Sequence, residues 1–218
     1  MRYALCLRGI SYQKDYQHWH EGVHDINFAK TSLNIKQRIV EALRQADQDV
    51  DVFLCSYKNE REDDVVKEFS PQGYIFNDHF SDLTAHQCIG LHTLLCLKLM
   101  ENFEEQTKLT HDMIVITRFD AAFSEDFTEL NVDPEKFNFL CRAECNDPLL
   151  VDDNLWVLPR KHLEGLRAVL GEIVIGNFWT HEMYVPLRER IGENMHFMYE
   201  GNYVLRESRP LIKFAREL

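Results

Sequence analysis

Glycine and proline are scarce, nine and six in 218 residues, and the motifs they would write are missing. No GxGxxG, no GxxxxGK followed by Ser or Thr, and no GxSxG occurs, so the backbone cradles of dinucleotide sites, P-loops and serine-hydrolase elbows are excluded. No Gly/Pro/Ser-rich linker, low-complexity tract or internal repeat divides the chain, which leaves one folding unit over residues 1–218. Positive charge is also in deficit. The 24 Lys and Arg stand against 36 Asp and Glu, a formal net charge of -12, and such a surface repels a phosphate backbone and argues against nucleic acid as a partner. A small anionic ligand is still admissible, because it needs only a local cationic pocket or a metal. A membrane span of roughly 20 apolar residues is lacking, and MRYALCLRGI turns polar too soon for a secretory signal.

Cysteine is thin and unpaired in pattern. Cys6, Cys55, Cys88, Cys96, Cys141 and Cys145 form no CxxC, and several sit inside apolar runs, so they read as buried thiols in a reducing, cytoplasmic setting. At 45% hydrophobic and 28% charged residues the composition is that of a globular protein. A chain of this length buries about 70% of its unfolded surface, so any metal would be functional and not a structural staple.

What is present alternates between strand and helix. Tyr3 to Leu7 is apolar on both faces and stops at Arg8-Gly9, as a buried parallel strand does. Residues 32–46 place Leu33, Ile35, Ile39, Val40 and Leu43 at helical spacing. VDVFLCSY gives a second strand and GYIFNDHFSD a third, and residues 84–105 give a long, largely buried helix. IVITRFD predicts a central strand ending at Asp120. FNFLCRAE, NLWVLP and MHFMY are further strands, separated by helices at KHLEGLRAVLGEI and around 182–191. The expected architecture is α/β: a mixed, mostly parallel sheet flanked by helices.

Ligands of open α/β sheets bind outside the carboxyl ends of the strands. Those ends read Arg8-Gly9, Ser56-Tyr57-Lys58, Asn77-Asp78-His79 and Arg118-Phe119-Asp120. In extended backbone Arg118 and Asp120 leave the same face. A carboxylate there suits Mg²⁺ or Mn²⁺ bridging phosphate oxygens, although the same triplet also reads as an ion pair closing a strand. Asp152-Asp153-Asn154 sets two carboxylates side by side, which raises one pKa and suits an acid or base, or else forms a solvated turn. His181-Glu182 opens a helix, where a carboxylate is favoured without any catalytic duty. His18, His20 and His24 lack a third ligand at zinc spacing.

Taken in order, ALCLRG, DVFLCSY, the long apolar helix, IVITRFDAAF, VDDNLWVLPRKHL and HEMYVPLRERI resemble the small GT-A-type glycosyltransferases of capsule and surface-glycan clusters and of large DNA viruses. The resemblance runs over nearly the whole chain through short motifs. It implies a nucleotide-binding part over about 1–125 and an acceptor part over about 126–218. It also implies an enzyme moving a sugar from a nucleotide-diphosphate sugar, in the first instance a UDP-sugar, to a glycan acceptor. In GT-A folds an Asp-x-Asp at this strand end binds metal and diphosphate, and here its first Asp is replaced by Arg118. By this resemblance Asp120 takes the Mn²⁺ or Mg²⁺ and Arg118 touches phosphate. Arg8, Gly9, Ser56 and Tyr57 line the nucleotide pocket, Asp78 meets base or metal, and Asp152 and Asp153 face sugar or acceptor, with Asp153 as candidate base. A sugar nucleotidyltransferase or NDP-sugar hydrolase, which attacks phosphorus, and a silent nucleotide-binding scaffold remain the rival readings.

Overall fold

Apolar residues on both faces of the first strand are what the architecture is built around. In the computed structural model, which describes residues 1–18, 22–143, 147–200 and 212–214, the chain runs β1 Arg2–Gly9, β2 Tyr12–His18, β3 Gly22–Asn27, α1 Ser32–Ile35, α2 Ala42–Gln45, β4 Asp49–Tyr57, α3 Glu62–Phe69, β5 Gly73–Asn77 and α4 Ala85–Thr107. It continues through β6 Met113–Arg118, β7 Ala121–Phe123, β8 Phe137–Phe139, β9 Leu155–Pro159, α5 Leu163–Val174, α6 Tyr184–Ile191, β10 Met195–Phe197 and β11 Ile212–Phe214. Cys145 and His20 lie outside the described residues.

The main sheet has seven strands in the order β10-β8-β9-β6-β1-β4-β5. All pairings are parallel except those of β9, which runs antiparallel to both β6 and β8. The period of two sorts the side chains into two cores. Tyr3, Leu5, Leu7, Met113 and Val115 face one side with Ile35, Ile39, Val40 and Leu43. Ala4, Cys6, Ile114 and Ile116 face the other with Cys96, Leu97 and Met100 of α4 and Leu166 and Leu170 of α5. Strands covered on both faces carry no alternation of polar residues, which is why these runs are continuously apolar.

The expected helix at 32–46 is present but not uniform, since Lys36–Glu41 between α1 and α2 is wound as a π segment. The wider winding turns Ile35, Ile39, Val40 and Leu43 to the sheet and leaves Leu33 60% exposed. The start of α4 is fixed by a capping box. Thr84 Oγ1 accepts from the Gln87 N–H at 3.3 Å, and Gln87 Oε1 accepts from the Thr84 N–H at 2.9 Å. Its buried face follows the helical period through Gly90, Thr93, Leu97, Met100 and Glu104. At the far edge of the sheet, His111 ties Glu104 Oε1 and Asp51 Oδ2 together, each at 2.9 Å from a ring nitrogen.

Three expectations need correction. The strand over FNFLCRAE shrinks to Phe137–Phe139, with one isolated bridge from Arg142 to Val151. The stretch between β1 and residue 32, for which the sequence reading predicts no element, contains the antiparallel hairpin β2–β3. The central strand stops at Arg118 and not at Asp120, because Phe119 and Asp120 form a turn before β7, which pairs with β11 in a small second sheet. Cys6, Cys55, Cys96 and Cys141 are buried free thiols, while Cys88 is only half-buried. Among the described residues no helix is long and apolar enough to cross a membrane.

Candidate functional site

Register explains how residues far apart in sequence meet. Arg8, next to the last residue of β1, lies opposite Arg118 at the end of β6, so two guanidinium groups are neighbours on one face. Because β9 runs antiparallel, with Thr117 opposite Leu155, the turn that leads into it lies beside the carboxyl end of β6. That turn is Asp152-Asp153-Asn154. The Thr117 hydroxyl donates to the Asn154 carbonyl at 2.8 Å and fastens the two ends together.

Arg118 does not stand apart from Asp120. Its Nε and Nη2 donate to Oδ1 and Oδ2 of Asp120, both at 2.7 Å, a bidentate pair. Nη1 reaches Asn154 Oδ1 at 3.4 Å. The turn at Phe119–Asp120, and not strand alternation, folds the carboxylate back onto the guanidinium. Asp120 is 5% exposed and Arg118 remains partly open. The ion-pair alternative is therefore what the local geometry contains.

Arg8 is 2% exposed. Its Nη2 donates to the Asp153 carbonyl, its guanidinium lies 5.3 Å from the centre of the Trp156 ring, and its Nε has no partner among the described residues. Burial first, and then Arg118, pull its pKa down to about 10, against the opposing pull of Asp153 and Asp120. It stays cationic at neutral pH.

The acidic turn is not solvated: Asp152 is 1% and Asp153 6% exposed. The two carboxylates divide as adjacent like charges should. Burial, with Asp153 next, pushes Asp152 up to about 6, although the Asn154 N–H donates to its Oδ2 at 2.9 Å and the Asn154 amide to its Oδ1. Burial also raises Asp153, but His181, Arg8, Arg118 and the Thr180 hydroxyl together hold it below the usual range. The Trp156 indole N–H donates to the Asp152 carbonyl at 3.0 Å and locks the turn.

The neighbouring strand ends sit further along the same edge. Gly9 pairs with Ser56 in register and has φ +98. Ser56 is fully buried, and its hydroxyl is spent inside the protein, donating to Ser11 Oγ at 2.8 Å and accepting from the Ser11 N–H at 3.0 Å. The Tyr57 ring stacks on His79 at 4.9 Å and lies 4.5 Å from His92. Asp78 is exposed and paired with Lys58 at 3.0 Å. Arg8, Arg118, Asp120, Asp152 and Asp153 thus form one cluster, Gly9 and Ser56 flank it, and Tyr57 and Asp78 lie on the outer side.

Two partners escaped the sequence reading. Thr180 Oγ1 donates to Asp153 Oδ2 at 3.1 Å and lies 2.7 Å from His86 Nδ1. His86 sits in the first turn of α4, 94 residues from Thr180, and its only trace in sequence is a polar side chain opening an apolar helix. His92 is the other surprise. It is buried on α4 with Nε2 unpartnered among the described residues, and burial, then Arg8, draw it down to about 4.

A divalent ion does not fit the cluster as it is arranged. Both Asp120 oxygens are occupied by Arg118, and no group of three or more His, Cys, Asp or Glu side chains suited to a metal occurs among the described residues. An ion would have to share the Asp120 oxygens with the guanidinium or displace it.

No family model and no curated protein matches the chain. Solved structures do. A glycosyltransferase involved in the glycosylation of the major capsid of PBCV-1 superposes with a TM-score of 0.52 at 11% identity, over 91% of this chain and 81% of that one. A nucleoside-diphosphate-sugar pyrophosphorylase from Vibrio cholerae RC9 gives 0.48 at 14% identity, over 99% and 95%. A Drosophila β1,4-galactosyltransferase 7 in complex with manganese, UDP-Gal and xylobiose gives 0.46 at 8% identity, over 98% and 70%. The chain has a GT-A-like fold, a mostly parallel seven-stranded sheet between helices, and shares that fold with the viral capsid glycosyltransferase.

Proposed function

We propose that this protein is a glycosyltransferase that takes a sugar from a nucleotide-diphosphate donor, a UDP-sugar in the first instance, and passes it to a glycan acceptor. The observation that carries the reading is the pairing of Arg8 and Arg118 at the carboxyl ends of two adjacent parallel strands, beside buried carboxylates, on a GT-A-like fold. This edge is where an α/β sheet receives its ligand. A diphosphate leaving group needs positive charge as its bond to the sugar breaks.

Arg118 supplies that charge from the partly open position, and Asp120 aims it. Arg8 adds a buried cation behind it. In this reading Arg118 stands where Asp-x-Asp enzymes place a metal-binding carboxylate, so the charge-neutralising role passes from the ion to the guanidinium. Gly9 and Ser56 shape the floor of the nucleotide pocket, and the Tyr57–His79 stack forms an aromatic wall suited to a base. In this reading Asp78, exposed and paired with Lys58, meets the base or a metal from outside.

The test is product analysis. The purified protein is mixed with UDP-glucose, UDP-galactose or GDP-mannose and a panel of methyl glycosides. Release of the nucleoside diphosphate, with a new glycoside, supports transfer. Release of the nucleoside monophosphate means attack on phosphorus and overturns the reading, as does the absence of both donor turnover and any thermal shift with UDP or GDP.

A further inference from the structure

The polar chain that starts at Arg8 does not end at Asp153. It continues through Thr180 Oγ1, 3.1 Å from Asp153 Oδ2, to His86 Nδ1 at 2.7 Å. The direction of each hydrogen bond is forced. An ionised Asp153 can only accept, so the single hydroxyl proton of Thr180 goes to it, and the Thr180 oxygen must then accept from the imidazole. This places the His86 proton on Nδ1 and leaves the lone pair on Nε2.

The surroundings keep that ring neutral and fixed. Burial, then His181 with its ring 5.6 Å away, lower the pKa of His86, against an opposing pull from Asp153 and Glu182. The amino end of α4 acts in the same direction as burial, since a helix N-terminus disfavours a cation. Trp179, 63% exposed, lies parallel to the imidazole at 5.4 Å and 7° and sets its plane. The acidic turn is closed to an acceptor by burial, Asp152 being 1% and Asp153 6% exposed. Both Asp152 oxygens accept from Asn154, and Asp153 is buried, acid-shifted and bound to Thr180.

We propose that His86 is the catalytic residue that takes the acceptor's hydroxyl proton, with Thr180 and Asp153 as positioning residues that fix its tautomer. This rests on the transferase reading above. The acceptor O–H gives its proton to Nε2, and the oxygen lone pair forms the new bond to the anomeric carbon. The bond from that carbon to the diphosphate breaks, its electron pair leaving with the nucleotide. The imidazolium that results is stabilised through Thr180 by Asp153, an order of groups that parallels an acid–histidine pair with a hydroxyl inserted. A single displacement of this kind inverts the anomeric configuration.

Two measurements decide it. Two-bond ¹H–¹⁵N spectra of histidine-labelled protein, with His86 assigned by its loss in His86→Gln, should show a neutral ring protonated at Nδ1 at pH 7. Thr180→Val should release the tautomer and Thr180→Ser restore it. An Nε2-protonated ring in the wild type overturns the proposal whatever the donor. In kinetics with the donors named above, His86→Gln should lower kcat roughly 100-fold or more and erase the acid limb of the pH profile, with UDP binding unchanged. A wild type that transfers sugar beside a His86→Gln variant of equal rate and pH profile sinks this assignment alone. A wild type that turns over no donor and binds no nucleotide takes the transferase reading down with it.

Discussion

Arg118 holds both oxygens of Asp120 at 2.7 Å, so the two side chains form one oriented, formally neutral ion pair with its guanidinium partly open, and are not separate candidates for phosphate and metal. A guanidinium is rigid and planar, and a two-point bond fixes its plane as well as its position. The remaining Nη1, drawn toward Asn154, carries the direction of that plane across to the acidic turn.

Removing the carboxylate should therefore cost function more than fold. Asp120→Ala leaves Arg118 charged but unaimed, and kcat/KM for NDP release should fall about 100-fold. The global stability measured in urea should fall by only about 1–3 kcal/mol, because Arg118 can turn toward solvent. Transfer at the wild-type rate in Asp120→Ala would show that the pair has no part in the reaction.

Arg118→Lys keeps the charge and loses the fork. A point charge on a flexible stem makes one bond to Asp120 where the guanidinium makes two, so activity should drop at least tenfold with little change in melting temperature. Equal kinetics for Arg and Lys would mean that charge alone matters at position 118.

Metal dependence follows from the same pair. Wild-type activity should survive EDTA, and Mn²⁺ should not shift its melting temperature. Arg118→Asp frees Asp120 and provides a second carboxylate, so Mn²⁺ should now stabilise the protein, by about 2.7 kcal/mol at a hundredfold excess over Kd. Loss of wild-type activity in EDTA, restored by Mn²⁺, would place an ion where the guanidinium is drawn.

Much of this site was legible because parallel strands buried on both faces announce their ends. Arg8-Gly9, Ser56-Tyr57 and Asn77-Asp78 each interrupt an apolar run, and the sheet aligns all three on one edge. The position of Asp152–Asn154 was not legible, since it depends on β9 entering the sheet antiparallel next to β6, a pairing that no local pattern encodes. The turn at Phe119–Asp120 was hidden for the opposite reason. Apolar residues continue on both sides of it, so the strand looks two residues longer than it is. His86 and Thr180 were invisible because they become partners only when α4 meets the segment before α6.

Acid stability separates two buried groups whose effects oppose. His92 sits at about 4 in the folded protein, below the roughly 6.5 of an unfolded histidine. The unfolded chain therefore binds this proton more readily, and stability is lost as pH falls from about 6.5 to 4. Asp152 sits at about 6, above the ordinary carboxylate value near 4, so the folded protein binds that proton more readily and stability is gained over nearly the same window. Each effect spans two to three pH units at about 1.4 kcal/mol per unit, or about 3 kcal/mol, and in the wild type they largely cancel. Single variants expose them. Between pH 7.5 and 4, urea denaturation of His92→Gln should gain about 3 kcal/mol relative to wild type, and Asp152→Asn should lose about as much. Curves for either variant that run parallel to the wild type across this range would show that its group does not titrate out of step with the unfolded chain.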